Sequence, residues 1–193
     1  MNNRIAVYTC VTGNYDEVRE PLVTESCCDY YMISDEKLVE SSNYIFIDVD
    51  DIVPSCDMSP RDKNRYCKMH PDEIFVKYDY SIYLDGSIQI IKPISHYISN
   101  IGDSGLGIHK HRERDCIYSE GIFLTWLGAV EKENLVNDIR RYMEAGIPRH
   151  FGLFECGMIV TDLKNATAKH LYRDWYKEYM NGVKRDQQAL IYV

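Results

Sequence analysis

Apolar and polar residues alternate along this chain in runs of two kinds. Short apolar, β-favouring runs predict strands at 4–11, 29–33, 44–49, 82–84 and 151–160, with a further extended run at 88–91. Helical patterns predict helices at 94–101, 131–145 and 168–180, and a short helix that begins near residue 184. Strands that alternate with helices are typical of an α/β domain, with a mixed sheet flanked by helices.

The best-marked helix start is at Ser59. Ser59 as N-cap, Pro60 at the first helical position and Asp62 at the third form a capping arrangement. The helix is expected to end near His70, because Pro71 follows it.

Three cations recur within this helix. Arg61, Arg65 and Lys68 are spaced so that they share one helical stripe. A stripe of charge is usually a solvated face. In a chain of formal charge −8 it is also a surface for an anionic ligand. The spacing leaves both interpretations open.

The stretch 78–90 holds the main candidate for chemistry. Its apolar strand ends at Asp85, and ligands of open α/β sheets bind at the carboxyl ends of strands. The following Gly86 allows a large ligand to approach the backbone. An Asp-Gly pair between two apolar runs is equally a hairpin turn signal. We expect Asp85 to face the diphosphate of a nucleotide-sugar, directly or through a divalent cation.

Further binding candidates follow the first two predicted strands. The first strand opens into a Gly-containing loop at 12–16, which is neither a G-x-G-x-x-G motif nor a P-loop. Thr9, Thr12 and Tyr15 are therefore candidates to hydrogen-bond and stack a base. Asp35, after the second strand, either accepts hydrogen bonds from a base or ribose or caps the next turn.

Size and charge narrow the class of protein. The chain has 193 residues, of which 45% are apolar and 27% charged, as in one soluble globular domain. The net charge of −8 argues against an extended nucleic-acid surface. The sequence has neither a membrane-spanning apolar run nor a signal-peptide core. We expect a cytoplasmic protein that meets a membrane surface only peripherally, through a partner.

Cysteine and histidine give no clear metal or redox motif. The seven cysteines contain no C-x-x-C pair, so they are expected to be buried hydrophobes. No histidine is adjacent in sequence to Cys116 or Cys156, so neither is expected to be an activated thiolate. His109 and His111 would share one face of a strand and form a metal pair, but an exposed polar loop is favoured.

Several motifs, taken in order, resemble the glycosyltransferase-like family catalogued as domain of unknown function 616. They are YTCVTGNYD, DYYMISD, RDKNRYCKMHPDEIF with YDYSIYLDGSI, RDCIYSEG, FECGMIV and RDQQAL. Their order is also distantly similar to glycosyltransferase family 8, where an Arg-bearing helix precedes a strand ending in D-x-D. The resemblance covers nearly the whole chain. It implies a single GT-A domain, a Rossmann-like mixed sheet with a nucleotide-binding half (1–92) and an acceptor-side half (93–193).

The resemblance implies roles for particular positions. Asp85 is the surviving acid of D-x-D. The nucleotide would be met by Thr9, Thr12, Tyr15 and Asp35, the diphosphate or sugar by Arg65 and Lys68, and the sugar or acceptor by Glu155, Asp186 and Gln187.

One departure from the family pattern concerns the metal. The D-x-D position reads Asp85-Gly86-Ser87, so a hydroxyl replaces the second carboxylate. A hydroxyl is a poorer ligand for Mn²⁺ or Mg²⁺. Asp85 and Ser87 are the metal candidates, and Arg65 with Lys68 are an alternative source of positive charge.

These features predict transfer of a sugar from a nucleotide-diphosphate donor, UDP-linked, to a glycan or other acceptor, as in polysaccharide biosynthesis. The alternative is a non-catalytic nucleotide- or glycan-binding module of the same fold. A haloacid-dehalogenase-type phosphatase is disfavoured because it needs a second acid where Ser87 stands. A nucleotidyltransferase is disfavoured because its Gly-rich, Arg-containing loop is missing.

Overall fold

A computed structural model describes residues 3–37, 42–128, 130 and 132–193. The chain divides into two compact units, each with its own packing. The first unit consists of Met1–Gly107 with Gly157–His170, and the second of Ile108–Cys156 with Leu171–Val193. The division into functional halves at residue 92 concerns ligands rather than packing, and it stays a prediction.

One six-stranded mixed sheet has the strand order β3-β2-β1-β4-β6-β5. The strands are β1 (Ile5–Val11), β2 (Cys28–Ser34), β3 (Ile45–Asp48), β4 (Tyr80–Leu84), β5 (Leu106–Lys110) and β6 (Phe154–Asp162). Strands β3, β2, β1 and β4 run parallel to one another, whereas β6 is antiparallel to β4. The predicted α/β class with a mixed sheet is confirmed.

Six α-helices accompany the sheet in the described part of the chain. They are α1 (Pro60–Met69), α2 (Pro71–Ile74), α3 (Ile117–Trp126), α4 (Lys132–Glu144), α5 (Ala166–Asn181) and α6 (Asp186–Tyr192). Short 3-10 helices lie at Val49–Asp51 and Ser95–Asn100. The predicted start of α4, Glu131, lies outside the described residues.

The two faces of the central strands bury different side chains, because successive residues of a strand point to opposite sides. Ile5 and Val7 of β1 pack with Ile82 and Leu84 of β4 in an aliphatic cluster. On the other face, the rings of Tyr8 and Tyr83 are 5.2 Å apart. The second face therefore places tyrosine hydroxyls in the core, where each needs a hydrogen-bond partner.

The start of α1 agrees with the sequence. Ser59 is the N-cap, and its side chain accepts a hydrogen bond from the Asp62 N–H at 3.2 Å. Pro60 occupies the first helical position. The capping pattern is local in sequence, so it could be recognised without any tertiary contact.

The predicted extended run at 88–91 is wrong, and with it the hairpin interpretation of Asp85-Gly86. Residues 88–91 form no strand. Both edges of β4 are already occupied, by β1 and by β6. The Ile88 N–H instead donates to the Asp85 carbonyl at 2.9 Å and closes a turn.

The exposed loop expected around His109–Glu120 is wrong in part. His109 lies in β5, and α3 begins at Ile117. Helix α3 (IYSEGIFLTW) was missed because its own apolar residues are distributed around the helix, so the sequence shows no helical periodicity. Among the described residues, no group of three His, Cys, Asp or Glu side chains could hold a metal ion.

None of the described helices has both the length and the apolar character needed to cross a bilayer.

Candidate functional site

The carboxyl ends of the parallel strands bring the predicted nucleotide-binding segments to one edge of the first unit. Val11 ends β1, Ser34 ends β2 and Leu84 ends β4. The chain leaves β1 towards β2 on one side and returns to β4 on the other, so the strand order reverses between β1 and β4. Open α/β sheets bind ligands in the crevice at such a switch point.

The loop after β1 is held in place by short polar contacts. The Thr12 hydroxyl donates to the Pro60 carbonyl at 2.6 Å, which ties the loop to the start of α1. The Gly13 N–H donates to Asp35 Oδ2 at 2.8 Å, which ties it to the end of β2. Gly13 and Asn14 have φ angles of 63° and 54°, a left-handed turn that glycine and asparagine tolerate best. Tyr15 follows this turn with 86% of its surface exposed, as a base-stacking ring would need.

Asp85 lies directly after β4 and is already engaged by two donors. Its Oδ1 accepts a hydrogen bond from the Tyr83 hydroxyl at 2.8 Å and faces the Lys68 ammonium at 3.4 Å. Its Oδ2 lies 3.3 Å from the place where a Cβ on Gly157 would stand. The carboxylate is therefore held in one orientation, with 39% of the side chain exposed.

Lys68 is completely buried, which is rare for a lysine and requires a partner charge. Its ammonium lies 4.9 Å from the centre of the Tyr83 ring, over the ring face. Because none of the side chain is exposed, it does not contact a ligand directly in this structure. The predicted role of Lys68 at the diphosphate or sugar stays a prediction, and its burial excludes a direct contact in this structure.

The Tyr83 hydroxyl stays protonated and can therefore keep donating to Asp85. Burial raises its pKa well above the usual value for tyrosine, and the nearby Asp85 carboxylate raises the pKa further. The positive charge of Arg65 lowers it. Arg65 and Asp85, both predicted from sequence, thus act on one hydroxyl.

Arg65 is partly exposed, unlike Lys68. Its guanidinium donates to the side-chain oxygen of Asn64, whose amide in turn donates to the Cys10 carbonyl near the end of β1. Arg61 on the next turn is exposed. The predicted cation stripe is therefore not uniform, since one end is solvated, the middle is half-buried and the other end is enclosed.

Gly86 provides a close approach between two loops. A Cβ at this position would lie 2.4 Å from Val11 Cγ2 and 3.0 Å from Asp16 Cβ. Asp16 thereby stands beside the Asp85-Gly86-Ser87 turn, although the sequence analysis did not single it out. Ser87, the predicted second metal ligand, is exposed.

We expect Gly86→Ala to destabilise the protein by about 1–3 kcal/mol, because overpacking forces well-packed neighbours to shift. Val11 is a buried strand residue and offers little room. The free energy of unfolding in urea measures the effect. Gly102→Ala is the matched control, since nothing lies within 4 Å of its added Cβ, and equal losses in both variants would contradict the steric cause.

Three predicted acceptor-side residues lie in the second unit. The Gln187 amide donates to the Phe154 carbonyl at 3.0 Å, next to Glu155 on β6. Glu155 Oε1 accepts from the Arg112 N–H at 3.3 Å. Asp186 is 6% exposed, and its backbone carbonyl accepts from the Trp175 indole at 2.8 Å. Glu155 and Gln187 therefore come together, whereas Asp186 is enclosed at the start of α6.

The remaining predicted positions differ in their exposure. Thr9 and Thr12 are each 4% exposed, so their side chains present little surface to a ligand. Asp35 is exposed while it holds Gly13. Roles in ligand binding for these three residues stay predictions.

Cys116 is buried, as expected, and the fold adds donors around its thiol, among them the backbone N–H of His150. Burial raises the pKa of this thiol, but N–H groups of His150, Ser119 and Tyr118 and the Ser119 hydroxyl together lower it to about 7. Cys116 is the N-cap of α3. A cysteine at a helix N-terminus is the sequence signal that points to this shift.

We expect the thiolate absorbance of Cys116 to titrate near pH 7, measured as the difference between the protein and Cys116→Ser. Since the pKa of the Cys116 thiol in the folded state is below its usual value of 9.0, the free energy of unfolding increases as pH rises from about 7 towards 9. This gain is lost as pH falls through 7. A midpoint near 9 would contradict the hydrogen-bonded arrangement.

Comparison with known proteins supports the fold. No family model and no curated protein matches the sequence, so the resemblance to the family of unknown function 616 stays a prediction. The structure is similar to the WbbM bifunctional glycosyltransferase (TM-score 0.61, 13% identity), of which it covers 38% while 100% of this chain is matched. It is also similar to mouse xyloside xylosyltransferase 1 (TM-score 0.56, 13% identity, 98% of this chain and 81% of that one).

A third similar structure is the galactosyltransferase LgtC (TM-score 0.50, 13% identity, 96% of this chain and 69% of that one), which was solved with donor and acceptor sugar analogues. The predicted GT-A-type fold is therefore confirmed.

Proposed function

We propose that this protein transfers a sugar from a nucleotide-diphosphate donor, UDP-linked, to a hydroxyl of a glycan or other acceptor. The observation that carries the proposal is the convergence of Asp85, Tyr83 and Lys68 at the switch point of a GT-A-type sheet. The fold of the similar structures supports glycosyl transfer as the class of reaction.

In the proposed reaction the acceptor oxygen bonds to the anomeric carbon of the donor. The bond from that carbon to the diphosphate breaks, its electron pair leaves on the diphosphate, and the acceptor proton passes to the diphosphate or to water. Positive charge near the leaving group acts where negative charge develops. Arg65 is suited to this because part of its side chain reaches the surface.

The base of the donor is assigned to the loop after β1. Tyr15 is proposed to stack the base, and Asp35 to accept from the base or ribose. Glu155 and Gln187 are proposed to orient the donor sugar or the acceptor. Asp186 is proposed to support Gln187 from within the first turn of α6, since its own side chain accepts the Gln187 N–H at 3.1 Å.

A non-catalytic binding module is the second candidate. It is favoured by the hydroxyl at Ser87 and by the internal pairing of Asp85 with Lys68. Such a module would hold a nucleotide or glycan without turnover.

Thermal unfolding with UDP, GDP, CDP and ADP, followed by donor turnover with the matching nucleotide-sugars, tests the proposal. A ligand at about 100 times its Kd adds roughly 2.7 kcal/mol, enough to raise Tm by several degrees. We expect UDP to give the largest rise and a UDP-sugar to be consumed. Binding without consumption of any donor favours the binding module. If no nucleotide binds and no donor is consumed, both candidates are contradicted.

A further inference from the structure

The Asp85 site balances its charge within the protein. In a D-x-D pair two carboxylates reach neutrality only with a divalent cation. Here one carboxylate, Asp85, faces one ammonium, Lys68, at 3.4 Å, so opposite charges are paired within the protein. The second carboxylate position of the motif carries Ser87; Asp16, beside Gly86, is a further acid near this turn, but the described residues hold no group of three His, Cys, Asp or Glu side chains that could bind a metal ion.

Asp85 also offers few available oxygen lone pairs to a metal ion. Oδ1 is occupied by the Tyr83 hydroxyl and the Lys68 ammonium. A divalent cation takes about six or more oxygen ligands, and a single carboxylate with one oxygen engaged supplies few of them. A cation bound to this carboxylate would stand close to the buried ammonium, which has no path into solvent and repels it. The donor set therefore does not fit a resident divalent cation.

The burial of Lys68 gives Asp85 a different use. The ammonium lies on the enclosed side of the carboxylate, and the exposed part of Asp85 remains an acceptor. Sugar hydroxyls are donors of the kind that such an acceptor binds. A paired carboxylate repels a diphosphate less than a free one does, and Arg65, which is partly exposed, supplies a positive charge for the anion.

We propose that this site binds and turns over its donor without a divalent cation, with Lys68 as the permanent counter-charge of Asp85. Tyr83 is a positioning residue, since it acts by holding the carboxylate against Lys68. This inference rests on the proposed glycosyl transfer and goes beyond it by naming what replaces the metal.

The first experiment measures UDP binding by calorimetry and donor turnover, each in excess EDTA and in excess Mn²⁺. The Mn²⁺ paramagnetic resonance signal, with protein and UDP present, reports metal binding without reference to activity. We expect Kd and kcat/KM to agree within about twofold in the two conditions. We expect the free Mn²⁺ signal to be no lower than in a protein-free control that contains UDP.

Binding or turnover that falls more than about tenfold in EDTA, together with a Mn²⁺ signal lost on adding protein, overturns the inference and leaves the proposed function standing. If no nucleotide binds and no donor is consumed in either condition, both are overturned. The two failures are thus distinguishable.

A second experiment rebuilds a metal site. Ser87→Asp adds the missing carboxylate at an exposed position, so the variant should fold normally. We expect it to bind Mn²⁺ at least about tenfold less tightly than the double variant with Lys68→Met, in which the counter-charge is also removed. Equal Mn²⁺ affinity with and without Lys68 contradicts the role of the ammonium. Lys77→Met, at an exposed lysine, is the control and should leave Mn²⁺ behaviour and turnover unchanged.

Discussion

Asp85→Asn is expected to lower donor turnover at least about a hundredfold, the scale on which removal of one electrostatic group acts at an active site. Asparagine keeps the shape of the side chain but loses the charge that holds Lys68. Steady-state kinetics with the donor identified by thermal unfolding measures the loss. Nucleotide binding should survive, because the loop at 12–16, which is proposed to bind the base, is not changed.

The same substitution removes the negative charge that faces a buried ammonium, which also destabilises the fold. The double variant Asp85→Asn with Lys68→Met separates the two effects, since it removes both charges of the pair. We expect it to regain much of the lost stability and none of the turnover. Recovery of turnover in the double variant would show that Asp85 acts only on stability.

Asp51→Asn is the surface control for these variants, since Asp51 is exposed and far along the chain from β4. It should change the free energy of unfolding by no more than about 0.5 kcal/mol, and it should leave turnover unchanged. Turnover by Asp85→Asn at the unmodified rate would favour the binding module instead.

Arg141→Met is expected to destabilise the protein by about 3 kcal/mol, the lower end of the range for breaking a buried ion pair. The Arg141 guanidinium lies 2.7 Å from Asp138 Oδ1 and 2.6 Å from Glu178 Oε1, and both acids are nearly enclosed. Its loss leaves two carboxylates of the second unit without their cation, although the Tyr142 hydroxyl still donates to Glu178 and the Val183 N–H to Asp138. The lower value is appropriate because Arg141 itself is 37% exposed, so water screens part of the change.

Urea unfolding measures this effect, and Arg140→Met is the matched control. Arg140 is the preceding residue of α4 and is exposed, so its loss should stay within about 0.5 kcal/mol. Replacing Asp138 and Glu178 by their amides together with Arg141→Met should recover part of the stability. Equal destabilisation by both arginine variants would indicate a general loss of helix α4 rather than of the ion pair.

The elements that the sequence predicted well are those with local causes. The cap of α1 depends on Ser59, Pro60 and Asp62, which are neighbours in sequence. Strand β1 was found because seven consecutive buried residues leave an apolar run in the sequence. Asp85 was singled out because it directly follows such a run.

The elements that failed depend on what the chain packs against. Residues 88–91 have the composition of a strand, but β4 had no free edge for them. Helix α3 shows no helical periodicity because its apolar residues are distributed around the helix. The pKa of the Cys116 thiol depends on the His150 N–H, and His150 lies 34 positions further along the sequence. Such facts require knowledge of neighbours that are distant in sequence.

By itself the sequence determined an α/β chain, the capped helix and one acid at the end of a buried strand. Each follows from the free energy of a short segment, set by capping and by burial of its apolar face. Only the tertiary structure decided that, of three cations on one stripe, Lys68 would be enclosed against Asp85 and Arg61 would be solvated. The spacing of residues along α1 puts these three side chains on the same face of the helix. Which of them is buried depends on the strand ends that pack over that face.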